Sequence, residues 1–408
     1  MTDEGVEQYQ TLSKIVRNNK IMHNTVLGDI CDRNEEYILQ SSECIADSTA
    51  SYDEAYMYLL GSVYFDTTGI LNTQFDTLTN KCNDNKGRGI RLTIDDELQK
   101  QLYQLTQDSR KSIVVMEKDS GKLLAMTSAY KEPFCFDEPY AEEEPYEPVW
   151  LSEALNCYHT GSVMKLFTAA AAYDSGYGDF TTEDNPSAYF NGKSISNVYG
   201  GNSDVIDMKT AFERSSNVYF STLGSALGAD TVREYIDRFV LDETIQTDFG
   251  ILDNQCGLKR KPNNYSIASF CYGQGGSYST VTLCMLVQGA LTGKIYRPHI
   301  IDGIFRYDDE EEMVTMKETK EEILSDHIVS PETCRAMEQL MLSAADVKGL
   351  PSDVGVKTGT AEIHLGNRAT MIGICGNYII AISEIDDVIS GSSHVETMRT
   401  ITNILRQY

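Results

Sequence analysis

Strand-like patterns in this chain fall into two groups at opposite ends of a long helical middle. The early group is Ser112 to Glu117 and Lys122 to Ser128, joined by Lys118-Asp119-Ser120-Gly121, a polar link that predicts a hairpin. The late group is Val354 to Thr360, Thr370 to Cys375 and, after a Gly376-Asn377 turn, Tyr378 to Ile385. From Tyr173 to Gly355 the pattern is mainly helical with Gly, Asn and Asp loops, including an apolar stretch at Val281 to Leu291 and a helix from Pro331 to Ala345. Two early strands and three late ones around such a middle cannot be a βαβ alternation. The economical architecture is α+β, an antiparallel sheet flanked by helices plus a largely helical subdomain, with Val354 to Thr360 brought close to the helix that follows the early hairpin.

At 408 residues the chain is long for one domain, so a principal domain with a smaller one appended is expected. Residues 4 to 20 show loose helical periodicity, Val26 to Leu39 is extended with a turn at Asp32-Arg33-Asn34, and Ala55 to Gly61 is a short apolar segment. This front part holds little that could be a core of its own. Lys81 to Arg88 is polar and Gly-bearing, which sets the expected division at residues 1–88 and 89–408. Ile90 to Asp95 is then strand-like, Asp95 is placed to cap a helix running to about Gln107, and His394 to Arg406 closes the chain as a helix. No internal repeat or low-complexity tract interrupts this order.

Charge narrows the partners. Lys and Arg total 34 against 61 Asp and Glu, a formal net charge of −27, which argues against nucleic acid or an anionic membrane. Part of the acidity sits in runs expected as surface loops, Asp137 to Glu147 and Asp308 to Glu312. The ten cysteines show no CxxC and no Cys/His cluster, so neither a metal site nor a disulfide framework is expected. Free thiols suit a cytosol or the outside of an anaerobe's membrane. No run approaches the roughly 18 apolar residues that span a bilayer, and no signal peptide is seen, so the chain as read is expected to be soluble.

Three segments carry chemistry. Gly161-Ser162-Val163-Met164-Lys165-Leu166-Phe167-Thr168, continued by four alanines and ended by Asp174-Ser175-Gly176, predicts a buried helix with a hydroxyl and an amine on one face at its start. That pairing is a nucleophile beside a candidate base, near the unpaired N–H groups of a helix N-terminus. Ser-x-x-Lys also occurs at Ser128 to Lys131, where Glu132-Pro133 follows and no helix should begin. Ser215-Ser216-Asn217, ahead of an apolar helical run, offers a hydroxyl and a carboxamide for a cleft, or simply a helix cap. Lys357-Thr358-Gly359-Thr360 puts Lys and two hydroxyls on a strand where Gly allows close approach, making either a carboxylate cradle or an exposed edge with a protective Lys.

Ser-x-x-Lys at a helix start, Ser-x-Asn before a helix and Lys-Thr-Gly on a strand, in that order, form the set shared by penicillin-binding proteins and class A β-lactamases. With Leu92-Thr93-Ile94-Asp95, Gly121 to Met126, Gly273-Gln274-Gly275 and the early Gly28-Asp29-Ile30-Cys31-Asp32-Arg33-Asn34, the chain resembles a class B penicillin-binding protein, with the transpeptidase domain from about Ile90 to Tyr408. Thr160 stands where family members usually carry Pro, and the Pro after Thr282 is absent.

The resemblance implies catalytic roles for Ser162, Lys165, Ser215, Asn217 and Lys357, and carboxylate binding by Thr358, Gly359 and Thr360. It also implies an oxyanion hole from the backbone N–H groups of Ser162 and Thr360. Neither a metal nor an organic cofactor is implied. The implied partners are peptidoglycan stem peptides, β-lactam antibiotics and a membrane glycosyltransferase, with no nucleic acid. The implied location is the extracytoplasmic face of a bacterial cell membrane, held there by an N-terminal helix that this chain lacks, above a shortened N-terminal pedestal. The resemblance leaves a serine β-lactamase, a D,D-carboxypeptidase and a penicillin-sensing receptor domain as alternatives. No deacylating Glu is assignable for the first of these, and the receptor would need a membrane segment and an output module.

Overall fold

The computed structural model describes residues 26–40, 53–61, 69–80, 87–107, 109–130 and 152–408, together with Arg17. The helix expected over residues 4 to 20 (Arg17 apart), most of the polar stretch 81–88 and the acidic run 137–147 lie outside these residues. Five strands make a central sheet in the spatial order Val354–Ile363, Gly366–Cys375, Tyr378–Asp386, Arg110–Glu117, Leu123–Ala129, every neighbouring pair antiparallel. They are the three late and two early strand patterns, so the α+β expectation is met. Alternation divides their side chains between two cores. Val114, Met116, Ile372 and Ala381 enter the larger one. Ile113, Val115, Val356, Met371, Ile380 and Ile382 enter the other, which is closed by the helices Asp96–Gln104 and Val395–Leu405. Asp95 caps the first of these helices, accepting the N–H of Leu98 at 3.0 Å.

The middle of the chain is less helical than its periodicity suggests. Ser187–Phe190 pairs with Lys193–Ser196 around Asn191 and Gly192, whose φ values of 46° and 76° give the left-handed pair that a tight hairpin requires. Asn-Gly is the strongest short signal for such a turn, and it outweighs the surrounding helical pattern. Ile301–Tyr307 and Met313–Glu318 form another hairpin, with Asp309 to Glu312 exposed at its tip, so this acidic run is a surface loop. That hairpin belongs to a second five-stranded sheet, in the order Met313–Glu318, Ile301–Tyr307, Gly89–Leu92, Ile30–Cys31, Tyr37–Leu39. Ile30–Cys31 runs parallel to Gly89–Leu92, so residues on both sides of position 88 share one sheet. Asp32 ties the early turn to the helix beyond it: its carboxylate accepts the N–H of Asn34 (2.7 Å), Glu36 (2.9 Å) and Asp96 (3.1 Å). Leu59, Leu60, Ile70, Phe75 and Leu78 of the front part belong to the large core instead of forming one of their own.

At the centre of that core lies the helix Lys165–Asp174, with Lys165 through Ala172 all buried. A helix apolar on every side belongs in an interior. It packs against the helices Asn217–Arg238, Asn264–Tyr272, Thr280–Thr292 and Pro331–Asp346. Its alanines let those neighbours close in, and Phe167 meets the ring edges of Phe239 and Phe270 at 5.5 and 5.6 Å. Replacing Phe167 by Ala should cost about 3–5 kcal/mol. Gly176, with φ 81°, terminates the segment as the sequence suggests.

Candidate active site

Ser162 lies on a 3-10 turn, Gly161–Met164, that leads into this helix. The turn is pressed against the strand Val354–Ile363, and the crossing leaves no room for side chains. A Cβ on Gly161, where φ is +62°, would stand 2.3 Å from the Thr360 carbonyl oxygen. One on Gly359 would stand 2.5 Å from the Thr160 carbonyl oxygen and 3.1 Å from Ser162 N. Glycine at both positions therefore lets the backbone of Ser162 and that of Thr360 face each other across the crossing. Thr360 is exposed at this edge, and its Oγ1 accepts the N–H of Gly391 at 3.0 Å, which leaves its O–H free to donate.

Ser215 ends the helix Met208–Arg214 in the left-handed conformation, φ 57°, a costly position for a residue with a side chain. The helix-cap alternative for this segment falls to its middle residue. Ser216 caps the helix Asn217–Arg238, its Oγ accepting the N–H of Tyr219 at 3.0 Å. Ser215 and Asn217 are thereby left to turn toward Lys165.

Lys165 Nζ is the point where the segments meet. It lies 2.6 Å from the Ser215 carbonyl oxygen, 2.7 Å from Asn217 Oδ1, 2.9 Å from Ser162 Oγ and 3.2 Å from Ser215 Oγ. Asn217 is held in this orientation because its Nδ2 donates to the Ser196 carbonyl oxygen at 2.9 Å. From the third segment, Lys357 Nζ donates to Ser215 Oγ at 2.9 Å and to the Thr358 carbonyl oxygen at 3.0 Å. Both amines lie beside aromatic rings, Lys165 5.8 Å from Phe220 and Lys357 5.4 Å from Phe212. Ser162, Ser215, Asn217 and Thr358 are half-buried, so the lysines form the floor of a cleft whose walls remain accessible.

Among the described residues, neither lysine has a bonded carboxylate. Burial drives the Lys165 amine well below the usual lysine range and the charge of Lys357 pushes it further, with Asp184 acting the other way. Burial, assisted by the charge of Lys348, lowers Lys357 to about 7. Because that folded value lies below the ordinary 10.5, the unfolded chain binds the extra proton between the two, and stability rises with pH across that window. Below about pH 7 the burial cost is at full size, roughly 5 kcal/mol for a displacement of this extent.

An amine without its proton is a base. Neutral Lys165 has two N–H groups, and its two shortest contacts are to oxygens that can only accept. With its two N–H groups on those oxygens, a neutral amine would turn its lone pair to Ser162 Oγ, 2.9 Å away, the arrangement that activates a hydroxyl nucleophile.

All the residues singled out in the sequence thus border one cleft, with Thr358, Gly359 and Thr360 along its strand edge. The second Ser-x-x-Lys is different: Ser128 is in the central sheet and bonds Ser152 Oγ at 2.8 Å, and Lys131 lies outside the described residues. Residues that the motifs did not indicate also reach the site, namely Ser216, Gly391, Asp184 and Asn197. The last sits at the end of the Asn191-Gly192 hairpin, whose turn signal would have located it. Among the described residues no group of three or more His, Cys, Asp or Glu is placed to hold a metal ion. Their cysteines are free. No described helix is long and apolar enough to cross a membrane.

Residues 111–377 match the family model for the penicillin-binding protein transpeptidase domain. Penicillin-binding protein PbpB of Mycolicibacterium smegmatis is 27% identical over 305 residues, 68% of this chain and 45% of that protein. A probable peptidoglycan D,D-transpeptidase FtsI of Caulobacter vibrioides is 24% identical over 282 residues, 67% of this chain and 45% of that protein. The chain thus spans under half the length of these relatives. Among solved structures, penicillin-binding protein A of M. tuberculosis, as its ceftriaxone acyl-enzyme, superposes with a TM-score of 0.80 at 18% identity, covering 94% of this chain and 98% of that one. The D,D-transpeptidase domain of a peptidoglycan glycosyltransferase from Eggerthella lenta gives 0.78 at 19% identity, covering 94% and 99%. At such identity these two likenesses concern the fold.

Proposed function

The chain belongs to the transpeptidase-domain family of penicillin-binding proteins, and from that premise we propose that it is a D,D-transpeptidase that cross-links peptidoglycan stem peptides through an acyl-enzyme on Ser162. The observation that carries this reading is the convergence on Lys165 Nζ of Ser162 Oγ (2.9 Å), Ser215 Oγ (3.2 Å) and Asn217 Oδ1 (2.7 Å), with Lys357 Nζ joined to the same Ser215 Oγ at 2.9 Å.

In this reading Ser162 Oγ attacks the carbonyl carbon of the penultimate D-Ala as its proton passes to Lys165 Nζ. The developing oxyanion is held by the N–H groups of Ser162 and Thr360, where a single donor typically contributes about 10²–10³ in rate. Asn217 orients the substrate amide. Charged Lys357, with Thr358 and Thr360, holds the terminal carboxylate, Gly359 allowing the close approach. Ser215, between the two lysines, relays a proton to the leaving D-Ala amine. The amine of a second stem peptide then attacks the ester and releases Ser162. A β-lactam presents the same carbonyl and carboxylate, but its amine stays tethered, so the acyl-enzyme persists.

The same reading assigns residues 1–88 a pedestal role and residues 89–408 the chemistry. It places the enzyme at the extracytoplasmic face of a bacterial membrane, working on strands supplied by a membrane glycosyltransferase. The Eggerthella neighbour, a D,D-transpeptidase domain that belongs to a peptidoglycan glycosyltransferase, supports that last pairing.

The test is intact mass spectrometry after incubation with penicillin, followed by peptide mapping. One adduct per chain, on Ser162 and absent from Ser162→Ala, is expected. An unlabelled wild-type chain would count against the reading, and steady nitrocefin turnover in place of one stoichiometric burst would make it a β-lactamase.

A further inference from the structure

The Ser215–Asn217 turn is gripped by a part of the chain outside the three motifs. Asp184 follows the short strand Thr182–Glu183 and is buried, 4% exposed. Its Oδ1 accepts from Ser216 Oγ at 2.5 Å and from Asn197 Nδ2 at 2.7 Å. Asn197 directly follows the strand Lys193–Ser196. Its Oδ1 accepts the backbone N–H groups of Asn217 at 2.7 Å and Val218 at 3.1 Å, and its Nδ2 also donates to the Asn185 carbonyl oxygen at 3.0 Å. Both ends of this carboxamide are therefore fully engaged, and its orientation is fixed because only the NH₂ end can face a carboxylate.

Asn197 thus supplies, from a different part of the chain, the acceptor that the first N–H groups of the helix Asn217–Arg238 need. One residue earlier, the Ser196 carbonyl holds Asn217 Nδ2. The hairpin end fixes both the backbone and the side chain of Asn217, and hence the distance of its Oδ1 from Lys165.

We propose that Asp184 and Asn197 form a polar clamp that positions the Ser215–Asn217 turn against Lys165 and Ser162. Both are positioning residues for acylation, a role that rests on the function proposed above. The charged groups around Lys165 are Lys357 on the facing strand and Asp184. Behind Asp184 stand Arg214, 4.0 Å from its Oδ2, and Asp204, which bonds Arg214. The turn Gly161–Met164 and the helices Asn264–Tyr272 and Thr280–Thr292 carry no charged residue, and Glu332, Arg335, Glu338 and Asp346 of the helix Pro331–Asp346 are exposed.

The experiment measures the second-order rate of acylation by a fluorescent penicillin against pH for the full chain, with thermal unfolding as the folding control. Asn197→Ala should slow acylation at least tenfold at every pH without moving the profile. Asn197→Asp should be slower still, because it sets a second carboxylate against Asp184. Asp184→Ala, which removes the acceptor shared by Ser216 Oγ and Asn197 Nδ2, should slow acylation at least tenfold as well.

Asp184→Asn alone keeps both acceptor contacts on its remaining oxygen and removes only the charge. With the charge gone Lys165 loses its proton more readily, so the rising limb should shift to lower pH while the maximum stays within about threefold. Should Asn197→Ala fail to fold, Asp184→Ala and Asp184→Asn decide. Single variants that acylate like wild type on an unshifted profile would overturn the clamp. A wild-type chain that is never acylated overturns the functional reading first and the clamp with it.

Discussion

Two pairs of cations pack against the same central sheet, and they are treated in opposite ways. Arg368 is fully buried and Arg110 half-buried beside a carboxylate, Glu153, which is 2% exposed and accepts from Arg110 Nε at 3.0 Å. Arg368 donates from Nε to Ser383 Oγ and from Nη1 to the carbonyl oxygens of Tyr158 and Tyr278, while its buried Nη2 has no hydrogen-bond partner among the described residues. Burial lowers Arg368, but only to about 10, with Glu153 opposing, so both guanidinium groups keep their protons at neutral pH. Lys165 and Lys357 are buried as deeply among hydroxyl, carbonyl and carboxamide oxygens, and there burial wins. A guanidinium with a buried counter-charge is architecture. An ammonium bonded only to uncharged oxygens becomes an amine able to take a proton.

If that contrast is right, substitutions in the two pairs should have opposite consequences. Lys165→Ala should slow penicillin acylation by about 10²–10⁴ in stopped-flow or gel-based labelling, and Lys165→Arg should not rescue it because a guanidinium does not give up its proton. In the arginine pair, Glu153→Gln removes the carboxylate that Arg110 bonds and that offsets the buried charge of Arg368. Urea unfolding should show a loss of about 3–5 kcal/mol, while the folded fraction still labels at Ser162.

Lys357→Met should do the reverse. It should abolish productive acylation yet stabilise the fold below pH 7 by up to roughly 5 kcal/mol, a gain that fades as pH rises toward 10.5. Unfolding curves at three pH values would reveal that slope, and a pH-independent difference would contradict it. The smallest effect concerns the strand edge. Thr360→Val removes one donor to a carboxylate, worth about 1.5 kcal/mol, so half-maximal acylation should need about tenfold more penicillin.

How much of this was legible in the sequence depended on how local the cause was. The central-sheet strands, the Asp95 cap and the ending of the serine helix at Gly176 follow from patterns within a few residues, and they appear where expected. The three site segments were recognisable because each is short and ordered. The hairpin at Asn191-Gly192 carried a local signal too, hidden within a stretch whose periodicity looked helical. What local pattern could not indicate was pairing at a distance. Examples are Asp184 with Ser216, Asn197 with the backbone of Asn217, Glu153 with two arginines from different strands, and Ile30 with Ile90 across position 88. Such contacts exist only once the chain has folded, and nothing in the local pattern around either partner indicates the other.

The most direct test is the pH dependence of the second-order rate of acylation by penicillin. Neutral Lys165 and charged Lys357 together require a bell, rising at a pH far below 10.5 and falling above about 7 as free Lys357 loses its proton. A profile that rises only near 10.5, or one that stays flat through neutrality, would mean that neither buried amine titrates as the structure requires.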